Sequence, residues 1–326
     1  MCIRDSDIIY NPYWALMSPT YSEYLRLEEL LKLQTGVEGE TRKISNDELH
    51  FILVHQNFEL WFKLVINELK CTSDILSSDY VEETKLPQAV HHMERVIETF
   101  KLMSQQWRVM ETLEPQDFLN FRDELGTASG FESFQMREME ALMGSKWIDG
   151  KLVGKPESGK SLYDATCDWL ERTPIQGSVY ASEGDEKQVD KFISDYLSAH
   201  KKLYPDTNEE VVSFFDEDKS LRRRRAGLVF IESYRELPLL SWPRKLISTL
   251  IELEQAMIIW RTSHARMVER MIGRRIGTGG SSGVDYLDMT TKYRVFVDLW
   301  TVRSILIKKD ALPTLKNKEF YEFRGE

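Results

Sequence analysis

Leu246-Ile-Ser-Thr-Leu250-Ile-Glu-Leu253-Glu-Gln-Ala-Met257-Ile-Ile-Trp260-Arg261-Thr-Ser-His264-Ala-Arg-Met267-Val-Glu-Arg-Met271-Ile272 is the stretch that decides the fold. Its large side chains, Leu246, Leu250, Leu253, Met257, Trp260, His264, Met267 and Met271, recur every three or four residues. That is the spacing of one face of an α-helix, not the alternation of a strand. Two other stretches repeat the pattern. Between Asp47 and Cys71 the face is Phe51, His55, Phe58, Phe62, Val65 and Leu69, and Ser45 with Glu48 has the spacing of a capping box at its start. Between Leu86 and Leu113 it is Val90, Met93, Val96, Ile97, Phe100, Met103 and Trp107. Alternating runs bounded by hairpin turns are scarce, so no sheet is expected and the fold class is all-α.

The chain of 326 residues is long enough for one large domain or two ordinary ones. A single helical domain over residues 1–326 is expected, because the two histidine-bearing helices lie on either side of the one weak region. That region, about 144–217, carries Gly150, Gly154, Pro156, Gly159, Pro174, Gly177 and Gly184 and reads as a less regular insertion with short helices at Ser161–Glu171 and Glu186–Leu203. No internal repeat is visible.

Acidic residues outnumber basic ones, 53 to 43, for a net charge of -10, which speaks against a general nucleic-acid binder. Arg222-Arg223-Arg224-Arg225 is the local exception and reads as a solvated helix face or a subunit contact. Cys2, Cys71 and Cys167 are widely spaced and form no C-x-x-C pair, which fits a reducing compartment rather than a disulfide framework or a zinc site. The segment Met1-Cys-Ile-Arg-Asp-Ser-Asp has no apolar core of a signal peptide, and no stretch is apolar enough to span a bilayer. A cytoplasmic protein with no membrane partner is the expectation.

Two histidines stand on apolar faces. His55 lies among Phe51, Phe58 and Phe62, and His264 between Trp260 and Met267. Each is either a core imidazole hydrogen-bonded to a carbonyl or a ligand, and haem iron is one partner that also explains the apolar lining. His50, His91, His92 and His200 lack such lining and read as surface residues. No pair of Glu-x-x-His motifs exists, which argues against a carboxylate-bridged di-iron bundle. The loop Gly277-Thr-Gly-Gly-Ser-Ser-Gly283 follows a helix and has no P-loop lysine. It is either a bare helix terminator or a donor-rich wrap for a small polar group. Arg122, four residues after Phe118, is placed to clamp a carboxylate beside an aromatic wall or to pair with Asp123 or Glu124.

Taken together these segments resemble the tryptophan 2,3-dioxygenase family. The matching pieces are His55-Gln with Glu59-Leu-Trp-Phe-Lys63, Gln106-Trp107 with Glu111-Thr-Leu113, Phe121-Arg-Asp-Glu-Leu125, Ser129-Gly-Phe131 with Ser133-Phe-Gln135, Trp260-Arg-x-x-His264, Gly277–Gly283 and Tyr293-Arg-Val-Phe-Val-Asp-Leu299. They occur in the same order from about Tyr21 to Ile307 and thin out between Gly144 and Glu217. Met1 to about Tyr13 match no part of the pattern, and Thr262 and Ser263 are smaller than the family's usual residues.

The resemblance implies an all-helical haem-binding domain of the tryptophan/indoleamine dioxygenase type, a homotetramer with one haem b per subunit. It implies that L-tryptophan and O2 are the substrates and that both oxygen atoms enter N-formylkynurenine as the indole C2–C3 bond opens. Residue by residue, His264 corresponds to the proximal haem ligand and His55 to the distal histidine that meets the indole N–H. Arg122 holds the substrate carboxylate, Thr278 contacts its ammonium and carboxylate groups, and Phe51 and Phe118 pack on the indole. Ser129 and Trp107 fall on the haem side. Tyr21, Tyr24 and Leu25 correspond to an N-terminal segment that reaches a neighbouring subunit's pocket. The rival readings are a haem monooxygenase acting on an indole or aromatic amino acid, which would insert a single oxygen atom, and a non-catalytic haem sensor, which has no use for a carboxylate clamp.

Overall fold

The computed structural model describes residues 18–36, 42–126, 130–144, 147–148, 151–152, 154–276 and 283–322. They belong to two compact units, one ending at Gln56 and the other beginning at Asn57.

The first unit opens with two short helices, α1 (Tyr21–Leu25) and α2 (Leu27–Leu30). Thr20 caps α1 in a complete capping box: its hydroxyl accepts from the Glu23 amide, and the Glu23 carboxylate accepts from the Thr20 amide at 2.8 Å. Arg26, left-handed at φ 52°, separates the two helices. The long helix α3 (Asn46–Leu76) then starts at the expected place. Ser45 accepts from the Glu48 amide at 3.1 Å, as a cap should. The return half of the box is absent, because the Glu48 carboxylate is taken by Arg42 at 2.9 and 2.6 Å. A guanidinium offers two parallel, charge-assisted donors and outbids one neutral amide.

The second unit continues α3 with Phe58, Phe62, Val65, Leu69 and Leu76 buried. It adds α4 (Leu86–Met110), α5 (Pro115–Arg122) and α6 (Phe134–Met143). Then come a two-residue antiparallel ribbon, β1 (Trp147–Ile148) with β2 (Lys151–Leu152), and the helices α7 (Leu162–Glu171), α8 (Asp185–Leu203) and α9 (Asn208–Phe215). Helices α10 (Lys219–Ser233), α11 (Ser241–Ile272), α12 (Gly283–Thr290) and α13 (Val297–Ile305) complete it. The ribbon departs from the expectation of no sheet, and it is too short to alter the all-α class.

Helix α11 carries the predicted stripe with Leu246, Leu250, Leu253, Met257, Trp260, Met267 and Met271 all buried. Its cross-links to α4 fix their mutual direction. Lys245 meets Glu94 at 2.8 Å, Lys101 meets Glu252 at 3.1 Å, and Arg270 meets Glu111 at 3.4 Å, so numbers rise together and the helices run parallel. Helix α3 runs against α4, since Phe58 meets Trp107 and Glu68 meets Arg95. Burial of the Glu68 carboxyl pushes its pKa up, but hydrogen bonds from His92 and Arg95 outweigh this and hold it below the ordinary value.

The short helices expected at Ser161–Glu171 and Glu186–Leu203 in the less regular region are present as α7 and α8. Ser161 caps α7 by accepting from Asp164, and α8 buries Val189, Phe192, Ile193, Tyr196 and His200. His200 is therefore a correction: it is 2% exposed and packs beside Tyr204, and burial lowers its pKa. It extends the stripe Val189, Phe192, Tyr196 by one more turn. Helices α7 and α10 approach so closely that a Cβ on Gly227 would lie 2.6 Å from the Leu170 carbonyl oxygen, a gap only glycine fits.

The arginine run on α10 is neither a bare solvated face nor a loose basic patch. Arg222 pairs with Asp190 at 2.7 Å, Arg223 with the buried Asp185 at 3.1 Å, and Arg225 with Asp298 at 3.0 Å. Three tyrosine hydroxyls fasten the C-terminal stretch: Tyr196 donates to Ile305 O, Tyr234 to Pro313 O and Tyr321 to Pro174 O. No helix among the described residues is long and apolar enough to cross a membrane.

Candidate functional site

In the first unit, α3 brings Phe51 and His55 together one turn apart, their ring centroids 4.0 Å from each other. His55 Nδ1 lies 2.8 Å from the Phe51 carbonyl oxygen. A carbonyl only accepts, so Nδ1 carries the hydrogen, and when the ring is neutral Nε2 is the acceptor. That tautomer can receive an N–H from a ligand. Tyr21 and Tyr24 on α1 are 76% and 77% exposed, and Leu25 is exposed beside them, an apolar surface on a five-residue helix.

In the second unit the centre is His264. Its ring lies 4.4 Å from that of Trp107 with the planes only 4° apart, and Trp260 is 6.1 Å away. Phe58 packs on Trp107 at 4.1 Å and Phe62 meets Trp260 edge-on at 5.7 Å. Helices α3, α4 and α11 thus build an aromatic wall around one imidazole.

Two features of that wall bear on what it can hold. The indole Nε1 atoms of Trp107 and Trp260 are buried with no hydrogen-bond partner among the described residues. A buried donor without an acceptor costs about 1–3 kcal/mol, a cost that a bound group supplying an acceptor would relieve. Among the described residues no group of three or more His, Cys, Asp or Glu side chains is arranged to hold a metal ion. Haem, with a flat apolar body, carboxylate edges and an iron that one imidazole can ligate, fits this lining.

Arg122 ends α5 beside the buried, edge-to-face pair Phe118 and Phe121, whose centroids are 5.4 Å apart. Its guanidinium donates to the Ile276 carbonyl at 2.6 Å. The arginine bonds to neither Asp123 nor Glu124 among the described residues but reaches 154 residues along the chain to the last described residue before the glycine-serine stretch. Ser129 and Thr278 lie outside the described residues.

Sequence reading missed a second arginine. Arg261, one turn before His264, is 5% exposed; it donates to Glu140 Oε1 on α6 at 2.9 Å and to the Thr290 carbonyl at 3.1 Å. Glu140 is fully buried and also accepts from Arg137 at 2.7 Å. Burial draws the Arg261 pKa down, and the adjacent Glu140 charge opposes that. The available signal was a glutamate inside the apolar run Met139-Glu140-Ala-Leu-Met143, which has to find a cation.

Residues 15–306 match the family profile described as tryptophan 2,3-dioxygenase. The chain is 40% identical to tryptophan 2,3-dioxygenase 2 of Ralstonia nicotianae, over 94% of this chain and 98% of that protein. It is also 40% identical to the tryptophan 2,3-dioxygenase of Sorangium cellulosum, over 94% and 88% of the two chains. With the tryptophan 2,3-dioxygenase of Anopheles gambiae it shares 32% identity over 91% and 88%.

Proposed function

The chain belongs to the tryptophan 2,3-dioxygenase family, and on that footing we propose that it opens the indole C2–C3 bond of L-tryptophan with O2 to give N-formylkynurenine. His264 would hold one haem b per subunit, which would supply the chemistry that activates dioxygen. The observation that carries the haem reading is the His264 imidazole against Trp107 with a buried indole donor left over.

The protein's own residues bind and orient the substrate. His55, held by the Phe51 carbonyl in the tautomer with an acceptor Nε2, takes the indole N–H and fixes the ring's rotation. It has no need to remove that proton. Phe51 and Phe118 give the indole an apolar surface and keep water from it. Arg122 takes the substrate carboxylate, for which a guanidinium is a bidentate match. Its present acceptor is the carbonyl of Ile276, two positions in sequence before Thr278, the residue assigned to the ammonium and carboxylate groups. Ser129 and Trp107 are assigned to the haem edge. Fixing both ends of the amino acid converts a loose encounter into a near-attack arrangement, where an error of about 1 Å costs on the order of a hundredfold in rate.

The exposed Tyr21, Tyr24 and Leu25 suit a segment that is covered in a homotetramer by a neighbouring copy. The free thiols of Cys71 and Cys167 suit a cytoplasmic location.

Tryptamine tests the clamp. It keeps the indole and the ammonium group and lacks only the carboxylate. Haem-loaded protein is expected to consume L-tryptophan and to lose roughly a hundredfold in kcat/KM on tryptamine, the scale of a charge-assisted hydrogen-bonded contact. Equal rates would remove Arg122 from its role; consumption of neither would remove the enzyme.

A further inference from the structure

We infer that the buried Arg261–Glu140 pair is a positioning device that sets the His264 turn of α11 and the end of α12 from one guanidinium, and so governs tryptophan binding without touching the substrate. The inference rests on the haem and substrate reading above.

Arg261 sits three residues before His264, on the neighbouring line of the same helix. One Nη donates to the Glu140 carboxylate on α6 and the other to the carbonyl of Thr290, the last residue of α12. Helix α12 begins at Gly283, directly after the loop that carries Thr278. The other end of that loop, Ile276, is held by Arg122. Ile276, just before that stretch, and Thr290, at the far end of α12, are therefore each held by an arginine. One arginine belongs to the proposed clamp, and the other to the helix of the proposed haem ligand.

The side chain is poorly explained as a source of stability alone. A buried ion pair of this kind is often no better for stability than apolar residues of equal volume, whereas a planar fork that spans two acceptors on different helices imposes a register. Glu140 does not need Arg261 for neutralisation, since Arg137 already pairs with it from the partly exposed side. What Arg261 adds is the bridge to Thr290. The outer contacts of α12, Arg266 with Asp288 and Arg274 with Asp285, are solvent-exposed on both partners and cannot set a register as firmly.

Arg261→Lys separates these functions. The ammonium keeps the charge opposite Glu140 but has no fork with which to bridge Glu140 and Thr290 O at the same time. The test compares wild type and Arg261→Lys in two ways. Haem-free proteins are compared by hydrogen exchange over Gly283–Thr290, and ferric haem-loaded proteins are titrated with L-tryptophan by absorbance. The variant is expected to fold, to take up haem, to exchange faster over Gly283–Thr290 by about tenfold, and to bind tryptophan about tenfold more weakly. A variant that matches wild type in tryptophan affinity overturns the inference, and so does one that fails to fold, since the pair would then be structural only. Wild type that takes up no haem, or whose haem spectrum ignores tryptophan, marks failure of the functional reading itself and takes the inference with it.

Discussion

His264→Ala is expected to yield folded protein that does not retain haem. The imidazole is half-buried on α11, with Trp107 stacked on its face and Trp260 beside it. Neither indole offers a lone pair to iron, so nothing in that wall replaces the lost nitrogen. The effect should exceed the roughly 100-fold loss of affinity typical when only an outer-shell partner is removed. Removing a half-buried ring from a helix surface should cost the fold little, and circular dichroism would confirm that α11 persists. The check is a haem titration followed by absorbance, wild type beside variant. Unchanged affinity would mean that the iron is held from elsewhere and that the stacked pair is only core packing.

Arg122→Leu is expected to raise the KM for L-tryptophan by up to roughly a hundredfold, about 3 kcal/mol, the upper end for hydrogen bonds to a charged group. The same substitution also cuts the tie to the Ile276 carbonyl, so a loss of affinity alone has two explanations. Tryptamine separates them. If the guanidinium meets the carboxylate, the variant should treat tryptophan and tryptamine alike, because the group that distinguished them is gone. If Arg122 serves only to hold the loop, both compounds should decline together and the preference for tryptophan should survive. Steady-state kinetics of the two proteins on the two compounds decides between these outcomes.

Both outcomes depend on how much of this site can be read from residue order. The helices can: an apolar side chain at every third or fourth position makes a face that must be buried, and Leu246 to Met271 on α11 and Val90 to Trp107 on α4 are buried as that argument requires. His200 obeys the same rule, since it continues Val189, Phe192 and Tyr196, but without the phenylalanine lining of His55 it reads as a surface residue. Partner choice was not legible. Spacing offered Arg122 its neighbours Asp123 and Glu124, and the fold gave it a carbonyl far along the chain. Spacing offered Glu48 the helix start, and Arg42 took its carboxylate. Periodicity assigns a side chain to a face; which donor meets which acceptor across faces is settled by packing of distant segments. Arg261 and Glu140 belong to that second class. Each alone looks like an ordinary charge on a helix, and only together do they make a bridge.

The most direct test of the central claim is mass spectrometry of the product from ferrous, haem-loaded protein and L-tryptophan under 18O2. Two labelled oxygens in N-formylkynurenine are expected. A product with one labelled oxygen, or tryptophan recovered intact from protein that has bound haem, would contradict the dioxygenase account.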